Sequence, residues 1–103
     1  MANLSSSLAY LHAEYNKISG SIPHGIGNLT NLESIWFAHN QFSESIPTDV
    51  GKLRKLYELD LGFNNLSAYI PSSFGNLSEL YILSLADNKL AGNIPSSLLS
   101  VRI

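Results

Sequence analysis

The sequence predicts a right-handed α/β-type solenoid of four 24-residue coils, each contributing a short strand to a parallel sheet. Three observations predict it. The first is a fixed period. The segment LRKLYELDLGFNNLSAYIPSSFGN, from Leu53 to Asn76, falls on LTNLESIWFAHNQFSESIPTDVGK when shifted back 24 residues and on LSELYILSLADNKLAGNIPSSLLS when shifted forward, and a further copy lacking its leading Leu starts at Ser5. A period in the range of about 20–50 residues marks a stacked array. The second is a register that never slips: Asn16, Asn40, Asn64 and Asn88 are evenly spaced, as are Pro23, Pro47, Pro71 and Pro95. The third is local alternation such as Leu59-Asp60-Leu61, the pattern of a strand with one buried face. No single coil can bury its own apolar face, so the coils must stack.

Within each copy the residues read L-x-x-L-x-L-x-x-N-x-L and then x-x-x-I-P. This pattern resembles the leucine-rich repeat. The continuation I-P-x-x-φ-G-x-L, where φ is apolar, resembles the plant-specific class found in ectodomains of receptor-like kinases and receptor-like proteins, and in polygalacturonase-inhibiting proteins. The resemblance runs from Ser5 to Ile103. Two departures stand out. The class carries Gly two residues before each Ile-Pro pair; Gly20 and Gly92 keep it, while Glu44 and Ala68 replace it. The paired-cysteine caps that flank such ectodomains are missing, because the chain has no Cys.

Taken in order, residues 1–4 are a lead-in and residues 5–103 one repeat domain. Its repeats are 5–28, 29–52, 53–76 and 77–100, with a partial fifth at 101–103. Leu8, Leu11 and Ala13 point inward from the first strand. Leu32, Ile35 and Phe37 follow in the second coil, Leu56, Leu59 and Leu61 in the third, and Leu80, Leu83 and Leu85 in the fourth. The Asn after each strand turns the chain away, and the stacked Asn side chains are expected to form a ladder between coils. Losing such a buried bond costs ~1–3 kcal/mol, so Asn64, with coils on both sides, is expected to matter more than Asn88. Apolar Ile18, Phe42, Leu66 and Leu90 come next, then the Ile-Pro pairs, where a residue lacking an amide donor suits a strand end. The resemblance implies a second short strand before each pair, the first sheet on a concave side, and loops and 3₁₀ turns on a convex side at Ile26-Gly27, Val50-Gly51, Phe74-Gly75 and Leu98-Leu99. The fourth copy has Leu99 where the others have Gly. Terminal coils need polar caps, and none is visible. The ends, with Leu8 and Leu11 at one side and Leu98, Val101 and Ile103 at the other, are therefore expected to drive self-association.

Composition narrows the function. A formal charge of −2 gives no basic footprint for nucleic acid or anionic lipid. No apolar run approaches the roughly 18 residues of a membrane span, so no membrane insertion is expected. The start, MANLSSSLAYLH, has neither the basic nor the apolar region of a signal peptide. With the missing cysteines, this raises the expectation of a fragment, a truncated gene product or an intracellular relative, although the resemblance implies an extracellular or plasma-membrane setting. No phosphate-binding, dinucleotide-binding or kinase signature is present. No enzymatic activity and no cofactor are expected, and any kinase domain of a parent protein would lie outside this chain.

The candidate site is the face that the resemblance makes concave. Its columns are Ala9-Glu33-Tyr57-Tyr81, Tyr10-Ser34-Glu58-Ile82, His12-Trp36-Asp60-Ser84, Glu14-Ala38-Gly62-Ala86 and Tyr15-His39-Phe63-Asp87. The only Trp, two of three His and four of five Tyr fall on it. These residue types make interface hot spots and stacking platforms. Tyr10, His12, Tyr15, Trp36, His39, Tyr57, Asp60, Phe63 and Tyr81 are therefore the candidate partner-binding residues, and the partner a protein or peptide. Strands alone also favour aromatic residues. His12, Glu14 and His39 make only a loose trio, short of the ligand set and outer shell of a zinc site, and solvated histidines are the plainer reading. Four N-x-S/T sequons occur, at Asn3, Asn28, Asn65 and Asn76. The repeat itself writes those at Asn28 and Asn76, so they fit a secreted ancestor whether or not this chain carries glycans. The expected function is a recognition module like part of a plant receptor-like kinase ectodomain, in signalling or defence. A free-standing inhibitor or scaffold resembling the polygalacturonase inhibitors, or a truncated gene product without independent function, is the alternative.

Overall fold

Each coil opens with a three-residue strand whose middle side chain faces the core, because alternate strand residues point to opposite faces. The computed structural model describes residues 7–98. In it these strands are β1 (Tyr10–His12), β3 (Ser34–Trp36), β5 (Glu58–Asp60) and β7 (Ile82–Ser84). They form one parallel sheet in that order. Residues one repeat apart pair directly: Tyr10 with Ser34, Ser34 with Glu58 and Glu58 with Ile82, and likewise His12 with Trp36, Trp36 with Asp60 and Asp60 with Ser84.

A second parallel sheet follows the turn. Its strands are β2 (Ser19–Ser21), β4 (Gln41–Ser45), β6 (Asn65–Tyr69) and β8 (Lys89–Ala91). After each Ile-Pro pair the chain enters a 3₁₀ segment, at His24–Asn28, Thr48–Lys52, Ser72–Asn76 and Ser96–Leu98. Between β1 and Leu98 every helical segment is 3₁₀. These segments stack closely: a Cβ on Gly51 would lie 2.7 Å from the Ser73 carbonyl oxygen. That approach accounts for Gly at this place in the repeat.

The core lies between the two sheets and the 3₁₀ segments. Ile35, Leu59 and Leu83 enter it from the first strands, Leu32 and Leu56 from two residues before them, Phe42 and Leu66 from the second strands, and Val50 and Phe74 from the 3₁₀ segments. Burial of each large side chain stabilises by roughly 1.5–3 kcal/mol. The end coils are thinner. Leu8, Leu11, Ala13, Leu85 and Leu90 are only partly buried. Ile18, expected inside with Phe42 and Leu66, is 39% exposed: among the described residues no coil covers its outer side. The Ile of the Ile-Pro pair shows the opposite bias: Ile22 is 2% exposed, while Ile94 in the last coil is 43% exposed. Leu98, expected at a sticky end, is buried, with 1% exposure. The lead-in, the sequon at Asn3, Leu99 and the partial fifth repeat with Val101 and Ile103 lie outside the described residues.

The Asn residues do not bond to one another. Asn40, Asn64 and Asn88 each clamp their own coil to the one before. The Asn64 Oδ1 accepts from the Phe42 N–H at 3.0 Å, and its Nδ2 donates to Phe37, Leu61 and Gly62 carbonyls at 3.0–3.1 Å, sharing two hydrogens among three acceptors. Asn40 repeats this set on Ile18, Ala13, Phe37 and Ala38. Asn88 repeats it on Leu66, Leu61, Leu85 and Ala86. Asn16 reaches only Ala13 and Glu14 in its own coil. Asn64 and Asn88 therefore make equivalent bonds, and the expected dominance of Asn64 is corrected: a coil on the far side adds none.

Candidate functional site

Regular strand spacing brings the aromatic side chains of the β1-β3-β5-β7 face into contact as two separate stacks. In the first, the His12 and Trp36 rings lie parallel at 4.0 Å, and Tyr10 meets His12 edge-on at 6.0 Å. A hydrogen-bond relay holds this stack. The Ser34 hydroxyl donates to Glu58 Oε1 at 2.8 Å, and the Trp36 indole N–H donates to the same oxygen. Ser34 has spent its only proton, so His12 Nε2 carries a hydrogen and donates to Ser34 Oγ at 3.1 Å. Ser34 and Glu58 occupy the column of Tyr10 but carry no aromatic signal, so neither stood out as a candidate.

In the second stack, His39 lies between Tyr15 at 4.2 Å and Phe63 at 4.3 Å, all near parallel. These residues sit where the chain leaves the strand just before each Asn. All three have left-handed backbones, with φ of 58°, 57° and 55° for Tyr15, His39 and Phe63, and Asp87 continues the column at 53°. The left-handed conformation costs roughly 1–2 kcal/mol for a residue with a Cβ. Ring stacking returns about 0.5–1.5 kcal/mol per pair. Inter-coil bonds from the Tyr15, His39 and Phe63 amides to the Ala38, Gly62 and Ala86 carbonyls, at 2.8–3.1 Å, offset more of it.

Between the stacks runs the column Glu14-Ala38-Gly62-Ala86, whose last three side chains are small. The result is a depression of about 340 Å³ lined by Glu14, Tyr15, Trp36, Ala38, His39 and Asp60. The Gly62 amide donates to Asp60 Oδ1 at 3.0 Å and orients that carboxylate. Glu14 Oε2 is buried without a hydrogen-bond partner. Of the sequence-predicted residues, the structure thus gathers Tyr10, His12 and Trp36, then Tyr15, His39 and Phe63, with Asp60 between the groups. Tyr57 lies apart, in a second depression of about 450 Å³ with Glu33, Lys55 and Glu79. Partial desolvation, then neighbouring Tyr10, Glu58 and Glu33, raise its phenol above the usual value. Tyr81 is the next residue of that column and is exposed; its amide bonds the Tyr57 carbonyl at 2.8 Å. His12 and His39 belong to different stacks, and among the described residues no three His, Asp or Glu groups come together to hold a metal ion. Among them, too, no helix is long and apolar enough to cross a membrane. Asn28, Asn65 and Asn76 are all exposed, the first and last at the ends of 3₁₀ segments and Asn65 at the start of β6.

The sequence profile of the Leucine Rich Repeat family matches residues 7–29, 31–53, 55–77 and 79–101. A stretch of 38 residues is 48% identical to the receptor kinase-like protein Xa21 of Oryza sativa subsp. japonica, covering 37% of this chain and 4% of that protein. Among solved structures, a chain of the BIR3–SERK2 complex from Arabidopsis thaliana matches with a TM-score of 0.88 at 39% identity, over 95% of this chain and 54% of that one. A chain in the structure of the Arabidopsis receptor kinase HAESA with the peptide hormone IDA and the co-receptor SERK1 matches with a TM-score of 0.87 at 38% identity, over 99% of this chain and 18% of that one. The chain therefore spans only a small part of the curated relative and about half or less of these solved chains.

Proposed function

This chain belongs to the leucine-rich repeat family, and on that premise we propose that it is a non-enzymatic recognition module, part of a plant receptor-kinase-type ectodomain, whose β1-β3-β5-β7 face takes a protein or peptide partner. The observation that carries this reading is the alignment of two aromatic stacks on one face, with Trp36 pinned by Glu58 rather than buried. Exposed aromatic side chains with fixed rotamers lose little entropy on binding, the property of interface anchors. Similarity to receptor kinases, one of them solved with a peptide hormone, supports the same reading and an extracellular setting for a parent protein.

Neighbouring strands lie ~4.8 Å apart, so four of them span only ~14 Å. That suits a few peptide residues and falls short of the roughly 800 Å² per partner of a standard protein interface. Binding by these four coils alone is weak, and a longer array supplies tight recognition. The test is panning of a random heptapeptide library on the chain, its Trp36→Ala variant and a Ser72→Ala control on the 3₁₀ side. The expected result is a set of binders lost with Trp36→Ala and kept with Ser72→Ala, both variants retaining the circular dichroism of the parent. Binders lost in the control and kept in Trp36→Ala would place recognition on the other side.

A further inference from the structure

The columns of the β1-β3-β5-β7 face carry Glu14, Glu33, Glu58, Asp60 and Asp87, five of the chain's eight acidic residues, and none of its six Lys and Arg. The chain as a whole is only at −2, so the negative charge is concentrated on this side. Lys55 donates to Asn31 Oδ1 at 2.7 Å and lines the other depression, with Glu33, Tyr57 and Glu79. The five acids are not equivalent. Glu58 is occupied by Ser34 and Trp36. Glu14 and Asp60 instead line the depression between the ring stacks, and Glu14 Oε2 is buried there with no donor. A buried acceptor without a partner is uncommon and calls for a donor to complete it.

We propose that the depression between Trp36 and the Tyr15–His39 pair receives a cationic side chain, arginine in preference to lysine, from an extended peptide partner. This rests on the reading of the face as a recognition surface and names its ligand chemistry. The ring stacks wall the depression, Ala38 leaves room at the floor, and the two carboxylates supply negative charge and acceptors for a cation. A guanidinium fits better than an ammonium because it is planar and offers donors in a fixed fork to carboxylate oxygens. Acidic partners are repelled by the same five carboxylates, so the face selects by charge as well as by shape.

Trp36 is the only Trp in the chain and stands in the wall of the depression, so its fluorescence reports occupancy directly. The test titrates the protein with a capped pentapeptide carrying a central arginine and with its twin carrying citrulline, the neutral isostere. The arginine peptide is expected to give a saturable change in Trp36 emission at about tenfold lower concentration. Added salt should shrink that advantage. Glu14→Gln and Asp60→Asn, isosteric changes that keep the fold, are each expected to bring the arginine peptide toward the citrulline level. Equal responses to the two peptides overturn the proposal while leaving a recognition face that is indifferent to charge. No saturable response to either peptide overturns it too, and the Trp36 dependence of the heptapeptide library then judges the broader reading separately. Retention of the arginine advantage in the double variant Glu14→Gln/Asp60→Asn would assign it to other acids and also overturn the proposal.

Discussion

At the scale of single residues, the Asn clamps make the sharpest statement. Asn40, Asn64 and Asn88 each satisfy one amide and one carbonyl of the preceding coil, whereas Asn16 bonds only within its own coil. Asn64→Ala and Asn88→Ala are expected to cost ~1–3 kcal/mol each, alike to within about 0.5 kcal/mol, with Asn16→Ala clearly cheaper. Urea midpoints at unchanged slope measure this, and a large gap between Asn64 and Asn88 would refute the one-directional clamp. Asp49 supplies a pH-dependent prediction. Its carboxylate accepts from His24 Nδ1–H and pairs with Lys52, both at 3.0 Å, and the His24 bond, then Lys52, lower its pKa below the ordinary 3.8. A carboxylate depressed in the folded state stabilises it above the unfolded value, and that contribution disappears as pH falls through the folded value. The stability difference between the parent and Asp49→Asn is therefore expected to be constant near neutrality and to close below about pH 4; a difference that widens on acidification would contradict it.

At the scale of the element, the second strands carry a built-in strain that varies between coils. The position two residues before each Ile-Pro pair has a positive φ throughout: 85° at Gly20, 66° at Glu44, 64° at Ala68 and 75° at Gly92. The two departures from the family pattern thus keep the backbone geometry that Gly serves. Glycine removes a cost of roughly 1–2 kcal/mol there and returns about 0.5–1 kcal/mol in unfolded-chain entropy. Ala68→Gly and Glu44→Gly should each stabilise by up to about 1 kcal/mol, read as a rise in thermal midpoint. The reverse change at Gly92 meets a second obstacle, since its Cβ would lie 2.6 Å from Tyr69 Cδ1. Gly92→Ala should therefore destabilise more than Gly20→Ala, whose Cβ would meet nothing within 4 Å.

At the scale of the whole molecule, the stack has two unlike ends. The last coil leaves an apolar recess of about 310 Å³ lined by Ile70, Ser84, Leu85, Ala86, Leu90 and Ile94. The first coil exposes Ile18 and leaves Leu8 and Leu11 half-covered. Apolar surface at both ends would favour a head-to-tail contact, which need not close and so would extend into open oligomers. The isolated chain is expected to associate with rising concentration in sedimentation velocity, and Ile94→Lys to suppress it. A monomer at all concentrations would refute the head-to-tail contact.

The 24-residue period by itself determined the coil, the inward side chains of the first strands and the columns of the exposed face, because in that sheet every residue pairs with the one a full repeat away. Tertiary structure decided what the period leaves open. The second sheet pairs Ser43 with Asn65 and Ser45 with Ser67, two residues short of the repeat; an even shift keeps the same side chains facing inward, so hydrophobic alternation cannot distinguish the two registers. Which rings stack, that Glu58 and Ser34 hold Trp36, and that Glu14 is left buried without a partner depend on rotamers and neighbours in other coils. The unequal burial of Ile22 and Ile94 depends on what covers each end. A repeat encodes the contacts that every coil shares, and side chains that differ from coil to coil acquire their meaning only once the coils are stacked.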